Sequence, residues 1–377
     1  MTDRIYLSPP HMSGEEARLV SEAFATNFIA PAGPALGAFE REFSELTGFT
    51  HCVALSSGTA AMHLALKGLD LQPGEEVWAS TLTFIASIAP AVHERAIPVF
   101  IDSDEATWTM DPVLLEEGLA RAAKQGRRPR AVIPTDIYGQ SCDLDRIVGI
   151  CKSYDVPVIA DSAEAVGARY RDRHAGKGAR AAVYSFNGNK IITASNGGML
   201  ATDDAALAET ARHLATQARE PVPHYEHRTV GFNYRLSNIC AAIGLGQLRA
   251  LDLRVQRRRD IFSRYVARLG GLEGISFMPE ATYGQGTRWL TVMMIDPEKN
   301  LSTPEIVRLA LEARNIEARP VWKPMHMQPV FSSARSIGGQ VASRLYEQGL
   351  CLPSGTAMSD DDVDRISQIV RDALRTH

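Results

Sequence analysis

Short apolar runs alternate with helical patterns between residues 51 and 202, and this alternation constrains the fold more than any other feature of the sequence. Helical patterns, such as those over Pro112–Lys124 and Leu144–Tyr154, separate most of the runs. Near-continuous apolar strands joined by helices form mostly parallel sheets that are covered on both faces, so the sequence predicts an α/β fold. Such sheets bind ligands at the carboxyl ends of their strands. Seven runs are candidate strands: His51–Ser56, Val77–Ser80, Ile97–Ile101, Ala131–Pro134, Val156–Ala160, Ala181–Phe186 and Met199–Thr202.

The chain has 377 residues, which is enough for two globular domains. From Ala241 to Leu269 the pattern predicts one long charged helix, and its Arg257-Arg258-Arg259 run is interpreted as a solvated face. We predict a large domain over residues 1–250, which includes an N-terminal segment, and a small α+β domain over residues 251–377. The predicted elements of the small domain are strands near Ile275–Met278, Trp289–Ile295 and Glu317–Val321, and helices at Pro304–Asn315 and Asp361–Leu374.

Composition excludes several classes of function. The net charge is -4 with no long basic run, which argues against nucleic acid as the main partner. No apolar segment is long enough to span a bilayer, and the N-terminus lacks a hydrophobic signal core, so we expect a cytoplasmic protein without a membrane partner. The five cysteines are scattered and form no CxxC pair, so they are interpreted as buried thiols, and no metal site is expected.

A possible phosphate site lies at Ser57-Gly58-Thr59, between the first predicted strand and a helix. A helix N-terminus offers free amide hydrogens and the positive end of a dipole. Gly58 permits close approach, and Thr59 adds a hydroxyl donor. The alternative, an ordinary capped helix start, explains this feature equally well when it is taken alone.

Two further candidates follow predicted strands. Asp161 comes directly after a buried strand, where a partly desolvated carboxylate needs a cationic partner such as a pyridinium nitrogen. The alternative is a helix N-cap, because a helix could begin at Ser162, and Glu164 would lie one turn on. Phe84 could lie flat on a planar ring, although a phenylalanine in the core is the simpler interpretation.

Lys190 lies among small and polar residues in the stretch SFNGNKIITASNGGML, which covers residues 185–200. A lysine in a partly dry pocket loses its proton easily and can form a Schiff base, whereas the alternative is a surface lysine in a β-hairpin. A phosphate anchor, a carboxylate, an aromatic ring and a lysine together outline a site for pyridoxal phosphate. The carboxylate keeps the ring nitrogen protonated, and the lysine holds the aldehyde. The combination is far more specific than any of its parts.

Several stretches resemble a known family over nearly the whole chain: SSGTAAMHLAL, TFIASIAP, VIADSAEAVGA, SFNGNKIITASNGGML and GFNYRLSNICAAIG. They are similar to the DegT/DnrJ/EryC1/StrS nucleotide-sugar aminotransferases. The resemblance implies the fold of aspartate aminotransferase (fold type I), with a mostly parallel seven-stranded sheet in the large domain. The strings YLSPPHMSGEE, NFIAPAG, NGNKIIT, TQARE with HYEH, WKPMH and CLPSGTAMS resemble the branch that makes UDP-N-acetylbacillosamine precursors. That branch implies transfer of an amino group from L-glutamate to C4 of a UDP-linked 4-keto-6-deoxy-N-acetyl sugar.

The resemblance also implies roles for individual residues. Asn233 matches an asparagine that reaches the phosphate of a neighbouring subunit, which implies a homodimer with shared active sites. On the substrate side the resemblance places His326, with a histidine satisfied inside the small domain as an equal alternative, and Asn27 of the NFIAPAG string. The residues matched to cofactor contacts are Lys190 (Schiff base), Asp161 (pyridinium), Gly58, Thr59 and Ser185 (phosphate), Phe84 (ring stacking) and Glu164 (hydroxyl edge).

Two positions depart from the family pattern. Asp136 stands where relatives often have histidine, which affects the expected substrate contacts. Asn196 replaces a usual glycine, and we expect it to affect only a turn. One alternative is a different acceptor, either a GDP- or dTDP-linked 4-keto sugar or an amino-cyclitol ketone. Another is a non-catalytic regulator that binds pyridoxal phosphate. A sugar 3-dehydratase is disfavoured, because in the resembling dehydratases a histidine replaces the lysine.

Overall fold

The computed structural model describes residues 3–375 of the chain. Within these residues the helices are α1 Glu15–Ala25, α2 Pro34–Thr47, α3 Gly58–Lys67, α4 Ala89–His93, α5 Pro112–Lys124, α6 Leu144–Ser153, α7 Ala205–Ala215, α8 Asn238–Arg249, α9 Leu251–Leu269, α10 Pro304–Glu312, α11 Gln340–Gln348 and α12 Asp360–Arg375. The strands are β1 His51–Leu55, β2 Glu76–Ser80, β3 Ile97–Ile101, β4 Ala131–Ile133, β5 Ile159–Asp161, β6 Arg169–Tyr170, β7 Arg173–His174, β8 Ala181–Ser185, β9 Gly198–Thr202, β10 Ile275–Phe277, β11 Gly284–Gln285, β12 Thr291–Ile295, β13 Arg319–Pro320, β14 Arg335–Ile337 and β15 Gly349–Leu352.

The main sheet consists of two four-stranded sets of strands that are joined edge to edge. One has the order β14-β3-β2-β4, and all its pairs are parallel. The other has the order β1-β9-β8-β5, in which β5 and β8 are parallel whereas β9 runs antiparallel to both of its neighbours. Parallel bridges from Val132 to Val158 and from Thr135 to Asp161 join β4 to β5. The predicted mostly parallel α/β sheet is thus confirmed, and β14 adds a strand from the C-terminal third of the chain.

An aromatic cluster packs α2 onto the sheet. Phe39 and Phe43 lie on one face of α2, and both are fully buried. The Phe43 ring lies 5.0 Å from that of Tyr184 and 5.5 Å from that of Phe186, with edge-on geometry. Each buried phenylalanine stabilises the fold by about 1.5–3 kcal/mol. This packing supports the strand that leads to Lys190.

The predicted single helix from Ala241 to Leu269 is wrong. The structure has two helices, α8 and α9, which meet at Ala250, where the backbone leaves the helical region at φ -97° and ψ 4°. Most residues of α8 are buried, and this helix packs against α1 and α2, whereas α9 carries charges and packs against α12. The predicted helix is therefore divided into α8 and α9, which pack against different parts of the fold.

A second, antiparallel sheet with the order β10-β12-β15-β13 lies in the C-terminal part of the chain. Helices α9, α10 and α12 share an apolar core with it. The N-terminal segment also joins this unit, because Ile5 forms a parallel bridge with Ile316. The domain division at residue 250 remains a prediction. The N-terminal segment contacts the C-terminal unit, and β14, which follows residue 250, pairs with β3 of the main sheet.

None of the helices between residues 3 and 375 combines the length and apolarity needed to cross a bilayer. The same part of the chain contains no group of three or more histidine, cysteine or acidic side chains arranged to hold a metal ion.

Candidate active site

A cavity of about 1000 Å³ opens at the carboxyl ends of the central strands. Segments that follow β1, β2, β4, β5 and β8 form its floor, which is where a parallel sheet is expected to bind ligands. Residues 6–10 and parts of the C-terminal region, including Glu317 and residues 319–323, form the opposite wall. A cavity of this size holds a cofactor together with part of a substrate.

The start of α3 forms one end of the cavity. Ser57 caps the helix, with Oγ accepting a hydrogen bond of 3.0 Å from the amide of Ala60. The amides of Gly58 and Thr59 have no hydrogen-bond partner among the described residues. A Cβ atom at Gly58 would lie 3.2 Å from Cβ of Ser185, so the glycine keeps this end open. Free amides, a helix dipole and nearby hydroxyls suit a phosphate group.

Asp161 ends β5 at the cavity floor and is 7% exposed. One carboxylate oxygen accepts a short hydrogen bond from Ser87 Oγ, and the other accepts one of 3.1 Å from the amide of Ala163. Burial raises the pKa of this carboxyl, so its ionised form needs a cationic partner. No helix begins at Ser162, which removes the alternative of an N-cap.

Lys190 projects into the same cavity from the segment that joins the antiparallel strands β8 and β9. The predicted hairpin is therefore present, but its lysine side chain is only 11% exposed. Nζ lies 3.4 Å from Oε1 of Glu164 and 4.3 Å from the centre of the Trp289 ring. Glu164 also accepts a hydrogen bond of 2.7 Å from the amide of Tyr138. Burial raises the pKa of Glu164 to about 7, and the neighbouring lysine opposes the shift.

Phe84 lies on the cavity wall, and it is not a core residue. It is 57% exposed, and its ring centre lies 5.7 Å from that of Trp322. An exposed aromatic face beside a cavity is available for stacking on a planar ligand. The cavity thus brings together seven of the predicted site residues: Gly58, Thr59, Phe84, Asp161, Glu164, Ser185 and Lys190.

Three predicted residues lie outside the cavity in this chain. Asn233 is exposed and pairs with Thr216 in an isolated bridge, and Asn27 is exposed with a positive φ of 59°. The ring nitrogens of His326 lie 2.6 Å from Thr81 Oγ1 and 3.2 Å from Ser343 Oγ. Because both nitrogens have partners, the structure favours the alternative in which His326 is satisfied within the fold.

Comparison with known proteins decides the family. The model of the DegT/DnrJ/EryC1/StrS aminotransferase family matches residues 10–371. The chain belongs to this family. The chain is 48% identical to EpsN of Bacillus subtilis strain 168, which carries the name of a pyridoxal phosphate-dependent aminotransferase, over 100% of this chain and 97% of the relative.

Two further comparisons concern sugar nucleotides. GDP-perosamine synthase of Caulobacter vibrioides is 35% identical, with 96% of each chain covered. The crystal structure of DesI in the presence of its TDP-sugar product superposes with a TM-score of 0.91 and 26% identity, covering 100% of this chain and 94% of that one. Our chain is accordingly a pyridoxal phosphate-dependent aminotransferase of fold type I. The free amides at α3, the buried carboxylate of Asp161 and the enclosed amine of Lys190 fit this cofactor.

The two departures from the family pattern lie in unexpected places. Asp136 is fully buried below the cavity floor, where its carboxylate accepts bonds from Ser162 Oγ at 2.6 Å and the Cys142 amide at 2.9 Å. Burial raises its pKa to about 6. Asp136 does not line the cavity in this chain, although its departure from the family pattern is expected to affect substrate contacts. Asn196, expected to affect only a turn, does line the cavity, and it accepts a bond from the amide of Gly197.

Sequence reasoning missed the aromatic residues around Lys190. Trp289 and Trp322 both line the cavity, and Tyr138 accepts a hydrogen bond of 3.0 Å from the Trp322 amide through its hydroxyl. Trp322 is the first residue of the WKPMH string, so the resemblance of that string to the family could have indicated Trp322 as a site residue. Trp289 was placed only in a strand, and it in fact precedes β12.

Proposed function

We propose that this aminotransferase moves the amino group of L-glutamate to C4 of a UDP-linked 4-keto-6-deoxy-N-acetylhexosamine, giving the UDP-4-amino-4,6-dideoxy-N-acetyl sugar. The observation that carries the proposal is the meeting of Lys190, Asp161 and the start of α3 in one cavity. The names of the relatives, a GDP-perosamine synthase and a protein with a TDP-sugar product, support a nucleotide sugar as acceptor. The choice of UDP rests on the motif resemblance. We place the reaction in the cytoplasm.

The residues that would hold the cofactor follow from the cavity. Gly58, Thr59 and Ser185 would bind its phosphate, and Phe84 would cover its ring. Asp161 would hold the ring nitrogen in its protonated form, with Glu164 and the lysine at the other edge. When bound, pyridoxal phosphate supplies an aldehyde that condenses with amines and a ring that withdraws electrons from the substrate carbon that carries the amino group.

Lys190 then has two tasks in the proposed reaction. Its Nζ would hold the cofactor between turnovers, and as a free amine it would take the α-proton of glutamate as a general base and deliver that proton to the cofactor. In the second half-reaction the same amine would move a proton in the reverse sense, from the cofactor to C4 of the sugar. Glu164 holds Nζ near this path, at 3.4 Å. Because both substrates use one amine in turn, we expect ping-pong kinetics.

We also propose a homodimer in which each subunit completes the partner's cavity. Asn233 and Asn27 are exposed, so each is free to face a second copy. The end of α1 and the loop that follows it expose apolar side chains, with Phe24 62%, Phe28 46% and Ile29 52% accessible. Exposed apolar patches of this kind mark interaction surfaces. Sedimentation of Phe28→Asp should show a shift toward monomer with loss of activity, whereas an unchanged dimer would exclude this surface.

The test of the reaction uses absorbance of the purified, cofactor-loaded protein. Glutamate should bleach the yellow band, and the UDP-linked keto sugar should restore it. A GDP-linked 4-keto sugar is the second candidate, favoured by the GDP-perosamine synthases among the relatives. Restoration by the GDP sugar alone would replace our acceptor. Transamination by Lys190→Ala at the wild-type rate would refute the mechanism.

A further inference from the structure

Arg258 is a buried arginine without a charged partner. Its residue is 1% exposed, and no described residue forms an ion pair with it. Burial lowers the pKa of its guanidinium to about 9. A buried charge without a counter-charge is costly, so its hydrogen bonds call for an explanation. The expected solvated face for the run at residues 257–259 is wrong at this position.

The guanidinium donates only to uncharged oxygens. Nη1 donates to the carbonyl of Trp289, and Nη2 donates to Ser8 Oγ at 2.9 Å. Ser8 Oγ in turn donates to the carbonyl of Asn189 at 2.6 Å, and Trp289 Nε1 donates to the same carbonyl at 2.8 Å. Two routes that begin on one guanidinium therefore converge on one oxygen atom.

That oxygen belongs to the peptide group that joins Asn189 to Lys190. Because the peptide group is planar, two hydrogen bonds to its oxygen restrict the orientation of the peptide plane that ends at Cα of Lys190. The direction of the lysine side chain depends on that orientation. The ring of Trp289 also contacts the far end of the same side chain, 4.3 Å from Nζ. The lysine is thus held at its backbone by Ser8 Oγ and Trp289 Nε1 and at its amine by the Trp289 ring. Arg258 donates to Ser8 Oγ and to the backbone carbonyl of Trp289, and so it contacts both residues that hold the lysine. Arg258 itself does not line the cavity.

We propose that Arg258 is a positioning residue for Lys190, acting through Ser8 and Trp289. The inference rests on the proposed role of Lys190 in amino transfer. The network joins α9, the N-terminal segment and Trp289, which lies two residues before β12, to the lysine loop. A catalytic group displaced by 1 Å loses about 100-fold in rate. The order of the lysine loop therefore depends on a residue remote from the chemistry.

The test compares Arg258→Met with Arg257→Met. Methionine keeps much of the side-chain length without donors, and Arg257 is a neighbour on α9 that bonds to Asp360 instead. We expect Arg258→Met to lower kcat by about 10- to 100-fold. The single-turnover rate constants of the two half-reactions should fall by similar factors, because one amine serves both. KM for glutamate should change less than about threefold. The control should keep its kcat within about twofold.

A second readout needs no cofactor. The Lys190 amide donates to the Asn187 carbonyl at 2.9 Å in the free protein, and this bond depends on the order of the loop. Amide hydrogen exchange of residues 186–190 in the cofactor-free protein should accelerate about tenfold in Arg258→Met and remain unchanged in Arg257→Met. Unchanged exchange together with unchanged kcat would overturn the inference.

A milder variant covers the case in which Arg258→Met does not fold. Ser8→Ala removes one of the two bonds to the Asn189 carbonyl and should lower kcat by about three- to tenfold, with faster local exchange. A folded Ser8→Ala protein with wild-type kcat and exchange would then refute the network. Two measurements separate the proposals. Failure of the UDP-linked keto sugar to restore the absorbance band of the wild type refutes the proposed function, whereas an inactive Lys190→Ala protein beside fully active Arg258 variants refutes only the positioning role.

Discussion

Replacing Glu164 by glutamine should remove a pH-dependent loss of stability from the cofactor-free protein. The Glu164 side chain is 3% exposed, and burial raises its pKa from 4.5 to about 7 against the opposing effect of Lys190. Between these values the folded state keeps a proton that the unfolded state has released. The free energy of unfolding therefore falls as pH rises through this window. A difference of about 2.5 pKa units corresponds to about 3 kcal/mol in total.

The assay is urea unfolding of wild type and Glu164→Gln near pH 5 and near pH 7.5. Most of the pH window lies between these two conditions. The free energy of unfolding of the variant, relative to that of the wild type, should therefore be about 2 kcal/mol higher near pH 7.5 than near pH 5. Glutamine can still accept the Tyr138 amide, which keeps that hydrogen bond. Asp136→Asn is a second test in a different window, because burial raises the pKa of Asp136 from 3.8 to about 6. A stability difference for Glu164→Gln that stays constant with pH would refute the reasoning.

Three further outcomes are expected. Asp161→Asn should lower kcat by about 10³-fold in single-turnover absorbance, since a charge pair at about 4 Å in a protein contributes about 4 kcal/mol; a loss below tenfold would contradict its role. Gly58→Ala places a Cβ 3.2 Å from that of Ser185 and should weaken cofactor binding about tenfold in titrations of the apo protein, and unchanged affinity would show that the cradle lies elsewhere. Phe43→Ala should cost about 3–5 kcal/mol of unfolding free energy in urea, because the ring is fully buried, and a cost below about 1 kcal/mol would mean that the cluster repacks.

The main sheet was predictable because its strands are continuous apolar runs bounded by turns. The strand predicted at Ile97–Ile101 has the bounds of β3, and the run at Ala181–Phe186 ends one residue beyond β8. The hairpin considered around Lys190 implies the antiparallel direction of β9, whereas the return of β14 was not predicted. The direction of a strand depends on the strands with which it pairs. The sequence of β14, Arg335–Ile337, contains no apolar run from which a strand could be predicted.

The candidate site was predictable where one residue type performs one recognisable task. A lysine beside glycines, a carboxylate after a strand and a Ser-Gly-Thr turn each carry local meaning, and the sheet brings them together. The environment of Lys190 was not predictable. Trp289 and Ser8 reach it from segments about 100 and 180 residues away in sequence, and Arg258 looks like any charge on an amphipathic helix. Contacts of this range depend on how the two sheets pack, which periodicity does not encode.

The central claim is that the amine of Lys190 carries the cofactor. Borohydride reduction of the loaded protein converts a bond between that amine and the cofactor into a stable one, which peptide mass mapping then locates. The account predicts the cofactor mass on the peptide that contains Lys190, and its loss when L-glutamate is added before reduction. A cofactor mass on any other lysine, or none in a protein that still transfers amino groups, would contradict it.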